Sequence, residues 1–182
     1  MDTLPDYLQP GLVFISIGLN PSVKSVEAGF YFANPRNRFW KALNASRLVD
    51  EKLEPGAAAV ERLFEKYRIG FTDLVKRPTR MGNELRAADY REGAEVLKTK
   101  LQEFRPRIAW FHGQGTYRQY LKYAEGRDMK VNPGPQKQHI GNARVFVTPN
   151  PSPANARFSL DDIVRSYNEL VSFQIREAFG VG

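Results

Sequence analysis

An amide side chain, Asn20, stands directly after the first long apolar run of the sequence and is followed by Pro21. The run, residues 12–18, is rich in β-branched and aromatic residues and predicts a buried strand that ends at Gly18. The sequence Gly-x-Asn-Pro then turns the chain sharply. Open α/β sheets bind ligands beyond the carboxyl ends of their strands, so Asn20 is expected at a ligand site.

The segment that follows, residues 29–40, alternates aromatic rings with amides and arginines, among them Phe32, Arg36 and Arg38. A planar base needs a polar group that binds its edge and an aromatic ring that stacks on its face. The amide at the strand end and the adjacent aromatic residues could supply both. These residues therefore predict a pocket for a planar base.

A second predicted strand, residues 144–148, leads into Asn150-Pro151-Ser152. Parallel strands bring their carboxyl ends to the same edge of a sheet, so the two asparagines could line one crevice. Asn-Pro is also a common turn dipeptide, which gives each copy a purely structural interpretation. Two copies at strand ends, one of them followed by the aromatic segment, favour the shared crevice.

The composition limits the class of protein. The 182 residues, 42% apolar and 26% charged, predict one globular domain over 1–182. With no cysteine and two histidines, neither a metal site nor another cofactor is expected. The sequence shows no apolar stretch of about 20 residues and no signal-peptide pattern, so we expect a cytoplasmic protein that makes no contact with a membrane.

The charge balance bears on the partner. A net charge of +7 and a pI near 9.7 are compatible with a polyanion, although many small proteins are basic without binding one. The distribution is more informative, because Lys76 and Arg77 open a basic loop and Arg36 and Arg38 lie in the aromatic segment. Cations beside a predicted pocket favour a polyanionic partner. Asn37 and Arg38 have an equally good structural interpretation, in which they cap the helix that follows and pair within the chain instead of touching DNA.

Strands and helices alternate along the sequence, which predicts a three-layer α/β/α fold around a central, mainly parallel sheet. The predicted strands cover residues 12–18, 70–75, 107–112 and 144–148. Helices are predicted over residues 37–48, 57–67 and 114–124. A further helix is predicted to begin at a cap formed by Asp89 and to end at Pro106. The last helix is predicted to begin near Ser159, which forms a capping box with Asp162. Residues 125–142 lack periodicity and predict a long loop.

Taken together, these motifs resemble the mismatch-specific uracil-DNA and thymine-DNA glycosylases of the uracil-DNA glycosylase superfamily. The similarity runs from about residue 11 to residue 170 and rests on residues 18–21, 29–40, 67–84, 150–152 and the helix after Ser159. It implies a uracil-DNA glycosylase-like fold and a monomeric enzyme of base excision repair without a cofactor. Such an enzyme flips a damaged base out of double-stranded DNA and hydrolyses its N-glycosidic bond, which leaves an abasic site. The resemblance places this activity at the bacterial nucleoid.

The resemblance also implies roles for individual residues. Asn20 would hold the hydrolytic water, and Phe32 would stack on the flipped base. The base pocket would be lined by Gly18, Leu19, Pro21, Ser22, Phe32 and Asn150. The late loop, residues 150–157, would enter the minor groove and fill the vacated stack, with candidates Ser152, Pro153, Ala154, Asn155, Ala156 and Arg157. The cations that would contact DNA are Arg36, Arg38, Lys76 and Arg77.

The chemistry favours bases that leave easily. An amide orients water but cannot act as a general base at neutral pH, so we expect modest turnover. Flipping costs least from a mismatch, and uracil opposite guanine is therefore expected to be preferred to uracil opposite adenine. Two alternatives stay open: a glycosylase mainly for the deaminated purines hypoxanthine and xanthine, and a catalytically silent DNA- or nucleotide-binding module.

Two features depart from the family pattern. Ser22 stands where close relatives are expected to have glycine, which adds a side chain beside the pocket. The late loop lacks a large wedge near its start, so Asn155 or Arg157 would have to take that role. Outside these motifs, His112 is interpreted as a strand-end imidazole that is buried and has its hydrogen bonds satisfied. Asp73 is the nearest carboxylate by sequence and is not expected to act as a base.

Overall fold

The computed structural model describes residues 2–180 and contains one five-stranded sheet. Its strands are β1 (Phe14–Gly18), β2 (Ile69–Asp73), β3 (Ile108–His112), β4 (Gly134–Ile140) and β5 (Ala143–Thr148). The sheet order is β2-β1-β3-β5-β4, in which only β4, at one edge, pairs in an antiparallel direction. The predicted α/β fold with a mainly parallel sheet is therefore confirmed.

The α-helices of the described chain are α1 (Val23–Ala28), α2 (Phe39–Ala45), α3 (Ala57–Glu65), α4 (Ala87–Phe104), α5 (Gln114–Ala124) and α6 (Leu160–Ala178). None of them is long and apolar enough to cross a membrane. The prediction of a helix over 37–48 is wrong at both ends. The side chain of Asn37 accepts from the N–H of Phe39 at 2.9 Å, and Ser46 leaves the helix in an extended conformation.

The starts of the two long helices depend on side-chain caps. Asp89 lies in the first turn of α4 rather than before it, where it accepts from the N–H of Arg86 at 2.8 Å. Its predicted position as the cap is therefore wrong by three residues. Ser159 and Asp162 form the predicted capping box at the start of α6.

The prediction omits β4, α1 and a 3-10 helix over Gly82–Glu84. The strand β4 lies inside residues 125–142, where the sequence predicts a loop, and that prediction is wrong. Between its buried ends β4 has only exposed and half-buried side chains, so an edge strand of this kind has little apolar pattern. The helix α1 has 6 residues, which is too short to show a helical period.

Each face of the sheet has its own core, because alternate residues of a strand point to opposite sides. On one face Phe14, Trp110 and Phe146 pack against α2, α3 and α6. On the other face Ile17 and Phe111 pack against α4 and α5. Helices therefore cover both sides of the sheet, as the three-layer prediction requires.

The carboxyl ends of β2, β1 and β3 form a row. Gly18 of β1 pairs with Asp73 of β2, and the pairing of Ile17 with Phe111 puts Gly18 beside His112 of β3. Gly18 has no side chain, so the row has a gap between a carboxyl group and an imidazole. A Cβ atom on Gly18 would lie 2.8 Å from Asp73 Oδ1, so a larger residue would close the gap.

Candidate active site

A cavity of about 610 Å³ opens at this end of the sheet, bordered by the row that Asp73, Gly18 and His112 form. Of the residues expected at the site, it brings together Gly18, Leu19, Asn20, Pro21, Ser22, Phe32, Arg36, Asn150, Ser152, Pro153 and Ala154. Asn155 and Arg157 border an adjoining cavity of about 470 Å³, and Ala156 borders neither. The two Asn-Pro strand ends therefore meet at one crevice.

The amide of Asn20 is held in one orientation. Its Nδ2 donates to the backbone oxygen of Arg77 at 2.9 Å and to Thr79 Oγ1 at 2.8 Å. A backbone carbonyl oxygen only accepts hydrogen bonds, so the nitrogen must face Arg77 and Oδ1 must face away from it. Within residues 2–180 no group donates to Oδ1. Asn20 therefore presents a free acceptor at the cavity, which can bind a hydrogen of water.

The loop that carries Asn20 is tied to the loop that carries its two acceptors. Backbone hydrogen bonds of 2.8, 2.9 and 3.2 Å join residues 18, 19 and 21 to residues 74, 75 and 79. These bonds extend the pairing of β1 and β2 beyond the ends of the strands. The amide and its acceptors therefore move as one unit, which keeps Oδ1 in place.

Phe32 is supported at the wall of the cavity. Its ring stacks on Phe39 with centroids 4.1 Å apart and planes 21° apart, and it meets His112 edge-on at 5.1 Å. Its φ of 59° is rare for a bulky residue, and strain of this kind is concentrated at ligand sites. Phe32 is half-buried, so its ring has packed support and still borders the cavity.

Ser22 connects the strand-end loop to the aromatic segment. Its Oγ accepts from the N–H of Ser25 at 3.1 Å, which caps α1, and donates to Ser25 Oγ at 3.0 Å. Ser25 Oγ accepts in turn from the N–H of Ala33 at 3.2 Å, next to Phe32. A glycine at position 22 would lack both bonds between Ser22 and Ser25, so the serine has a structural function in this chain.

Asp73 is a buried carboxyl group at the cavity. Its Oδ2 accepts from Lys76 Nζ at 3.2 Å, Lys76 also pairs with Asp6 at 2.8 Å, and Lys100 pairs with Asp6 at 2.6 Å. Burial, partly offset by the charge of Lys76, raises the pKa of Asp73 from 3.8 to about 6. The ammonium group of Lys76 is therefore directed toward two carboxylates inside the chain.

We expect Asp73→Asn to change stability in a pH-dependent way. Because the pKa of Asp73 is about 6 in the folded chain and 3.8 as its ordinary value, the folded state binds this proton more tightly. The stability that the proton contributes is present below pH 3.8 and is lost as the pH rises through 6. Asparagine does not titrate. As the pH rises from 4 to 7.5, the free energy of unfolding of wild type should therefore fall by about 2 kcal/mol more than that of the variant.

Urea denaturation of both proteins at the two pH values measures this difference. Lys76, Asp6, Lys100 and Tyr31 face the carboxyl group and are the same in both proteins. A difference in stability that does not change with pH would show that Asp73 titrates normally.

His112 lies on the other side of Gly18 and is 2% exposed, which confirms the burial that the sequence predicts. The prediction that its hydrogen bonds are satisfied is wrong for one of the two ring nitrogens of the described structure. Its Nε2 lies 2.7 Å from Ser16 Oγ, and burial lowers its pKa to about 3, so the ring is neutral at neutral pH. Its Nδ1 has no hydrogen-bond partner among the described residues. The ring also borders the cavity, which the sequence does not predict.

Comparison with known proteins decides the family. A family model described as the uracil DNA glycosylase superfamily matches residues 5–171. The chain belongs to the uracil-DNA glycosylase superfamily. The solution NMR structure of a candidate uracil DNA glycosylase from Methanosarcina acetivorans has a similar fold, with a TM-score of 0.56 and 21% sequence identity over 93% of this chain and 98% of that chain. The predicted uracil-DNA glycosylase-like fold is confirmed, and the resemblance seen in the motifs holds at the level of the superfamily.

The late loop of this glycosylase is held from inside by Arg38. The guanidinium group donates to the backbone oxygens of Phe158, of Ser152 at 3.1 Å and of Asn155 at 2.7 Å. The backbone N–H of Arg38 donates to Pro151 at 3.0 Å. The guanidinium group is therefore directed into the loop and does not cap α2, so the predicted cap by the Arg38 side chain is wrong. Its structural pairing within the chain is confirmed.

The other cations of the glycosylase differ in how they are paired. Lys76 and Arg77 form ion pairs within the chain. Arg36 and Arg157 are exposed and form no ion pair with any residue in 2–180. Arg80 is also exposed and borders the larger cavity. Three cations at the rim are thus available to a polyanion.

The lining residues that were not assigned to the site from the sequence include Asp73, Arg80 and His112. Asp73 and His112 each end an apolar strand with a titratable side chain, as Gly18 ends β1 without one. A titratable residue at the end of a strand indicates a site only when the register of β2, β1 and β3 is known, because the register places Asp73 and His112 on either side of Gly18. No group of histidine, aspartate and glutamate side chains in the described chain is arranged to hold a metal ion.

Proposed function

We propose that this protein is a monofunctional DNA glycosylase of the mismatch-specific uracil and thymine type. It hydrolyses the N-glycosidic bond of uracil or a related damaged base that is flipped out of double-stranded DNA, and it leaves an abasic site. Superfamily membership supports a DNA glycosylase in general. The finer proposal rests on the oriented amide of Asn20, whose Oδ1 is free at the cavity that Phe32 borders.

In this mechanism the base enters the cavity and stacks on Phe32. Asn20 Oδ1 accepts a hydrogen of one water and so orients the water oxygen toward the anomeric carbon of the sugar. The electron pair of the glycosidic bond leaves with the base, the water oxygen bonds to the carbon, and a water proton is released to solvent. The sugar develops positive charge and the base negative charge, so donors that face the base oxygens accelerate the step.

Two physical reasons support a preference for uracil in a G·U mismatch: the limited chemistry of the Asn20 amide and the cost of flipping the base. An amide does not remove a proton from water at neutral pH, so the rate depends on how readily the base leaves. The cost of flipping is smallest for a mismatched base, which favours uracil opposite guanine. The volume of the cavity, about 610 Å³, also favours testing a second class of substrate, the larger purines hypoxanthine and xanthine.

The exposed arginines support double-stranded DNA as the partner. Arg36, Arg80 and Arg157 form no ion pair with the described residues and lie at the rim, where phosphates of a bound duplex would lie. The guanidinium group of Arg157 lies over the ring of Phe158, 5.3 Å from its centroid. Of the two residues that could fill the vacated stack, Asn155 donates to the backbone oxygen of Asn150 at 3.0 Å within the loop. We therefore assign the wedge to Arg157.

The direct test incubates the protein with duplexes that carry one G·U pair, one A·U pair, hypoxanthine, xanthine or ethenocytosine. Alkali then cleaves the strand at abasic sites. We expect cleavage at uracil only after alkali and faster reaction of G·U than of A·U. Intact strands across the whole set, with folded protein, would overturn the proposal, and cleavage without alkali would exclude a monofunctional enzyme.

Replacing Thr79 by valine should lower the rate of uracil excision about 10-fold, because Asn20 then keeps one of its two acceptors. Valine has the shape of threonine, so the backbone bonds of the loop should be retained. Single-turnover rates with saturating protein measure the effect, and the affinity for DNA should not change. Thr79→Ser keeps a hydroxyl group and serves as the matched control. Equal rates for the two variants would show that this hydrogen bond does not position Asn20.

A further inference from the structure

The imidazole of His112 occupies a distinctive place in the cavity. It ends β3 beside Gly18, whose missing side chain leaves the space next to the ring open. The ring meets Phe32, the proposed stacking surface, edge-on with centroids 5.1 Å apart. A base that stacks on Phe32 would therefore have its edge near the imidazole.

The hydrogen bonds of His112 are incomplete. Nε2 is 2.7 Å from Ser16 Oγ, whereas Nδ1 is buried and has no partner among residues 2–180. A buried polar atom without a partner destabilises the folded chain, so such atoms are rare and call for a reason. A ligand that supplies the missing partner is one such reason.

Ser16 decides which ring nitrogen carries the proton. The ring is neutral, so it has a single N–H, and Ser16 is 1% exposed with Nε2 as its one side-chain hydrogen-bond partner in the described chain. If Nε2 carried the proton, the Ser16 hydroxyl hydrogen would be buried without an acceptor. If Ser16 instead donates to Nε2, the one buried donor left is the N–H at Nδ1. The first arrangement leaves two buried polar groups unpaired, the Ser16 hydroxyl hydrogen and the Nδ1 lone pair, whereas the second leaves only the N–H at Nδ1. The second arrangement is therefore favoured, and its unpaired donor is available to a ligand.

We propose that His112 is a further catalytic residue, whose Nδ1–H donates to a ring carbonyl oxygen of the flipped base, and that Ser16 is the positioning residue that sets this tautomer. The inference rests on the proposed glycosylase function and names how the base is bound. Negative charge develops on the base oxygens as the glycosidic bond breaks. A preorganised donor at that oxygen is therefore stronger in the transition state than in the ground state.

The first test compares excision from G·U duplexes by wild type, His112→Phe and His139→Phe. Removal of one such donor typically lowers the rate about 100-fold, which is the effect expected for His112→Phe with DNA affinity unchanged. His139 is exposed on β4 and is the matched control, which should react at the wild-type rate. If wild type excises uracil and His112→Phe does so equally fast, this inference is wrong and the proposed function stands.

The second test separates a direct contact from a structural effect. Duplexes that contain 2-thiouracil or 4-thiouracil replace one ring oxygen at a time by sulfur, a weaker acceptor. In each protein, the excision rate of each thio base is divided by the rate for uracil. In the wild type we expect this ratio to be low for one of the two thio bases. In His112→Phe that ratio should rise toward one, and the ratio for the other thio base should stay the same as in the wild type. Ratios that are the same in both proteins would exclude contact between His112 and the base.

A third test needs no variant and no excision. The chain has two histidines, so the ¹⁵N spectrum of the labelled protein is simple to assign. At pH 7 we expect the Nδ1 of His112 to carry the proton and Nε2 to be unprotonated, and Ser16→Ala should remove that bias. A proton on Nε2 in the wild type would overturn the assignment, whether or not the protein is a glycosylase.

Discussion

Asn20→Ala is expected to lower uracil excision from a G·U duplex by about 100-fold or more, the typical effect of removing one group that is oriented for the transition state. The amide is oriented before the substrate arrives, because Nδ2 is bound to Arg77 and Thr79. Alanine leaves a water in the cavity without an acceptor to orient it. Single-turnover rates measure the loss, while the affinity for DNA and the free energy of unfolding should stay within about 1 kcal/mol of wild type.

Asn20→Asp is the informative companion to this variant. A carboxylate would place a second oxygen where Nδ2 now donates to the backbone oxygen of Arg77, and two acceptors at 2.9 Å repel each other. The aspartate must therefore turn away or bind a proton, and we expect it to remain well below the wild-type rate. Full activity of Asn20→Ala would show that the hydrolytic water is bound elsewhere. Full activity of Asn20→Asp would show that the orientation of the amide is not needed.

Arg38→Met should lower the free energy of unfolding by about 3 kcal/mol, because three backbone oxygens lose a donor at roughly 1 kcal/mol each. Those oxygens belong to Ser152, Asn155 and Phe158, so the late loop loses its internal support. Methionine retains most of the apolar stem. Denaturant unfolding measures the stability, and we expect excision to fall as well because the loop is no longer held at the cavity.

Arg36→Met is the matched comparison. Arg36 is exposed at the rim of the same cavity, and its guanidinium group makes no ion pair in the described chain. Stability should stay at the wild-type value, while the affinity for duplex DNA falls and the slope of log K against log salt decreases by about one. If Arg38→Met instead kept its stability and lowered the salt slope, Arg38 would contact DNA as the sequence predicts.

The missed strand has a physical cause. The strands β1, β2, β3 and β5 are buried along almost their whole length, and all four are predicted. The edge strand β4 carries polar and charged residues such as Gln136, Lys137 and His139 and is buried only at its ends. Local patterning reports burial, so an element that is little buried leaves a weak signal in the sequence.

The sequence by itself determined the parallel α/β fold, the two strand-end asparagines and the resemblance to the glycosylases, because each is a pattern of neighbouring residues. The tertiary structure alone decided how these residues act. The orientation of Asn20, the engagement of Arg38 and the pairing of His112 with Ser16 join residues that are 57, 114 and 96 positions apart. Which cations are paired within the chain was likewise decided by the tertiary structure. Composition counts every cation, but only the folded chain shows that Arg38, Lys76 and Arg77 are already engaged and that Arg36 and Arg157 are exposed without an ion pair among residues 2–180.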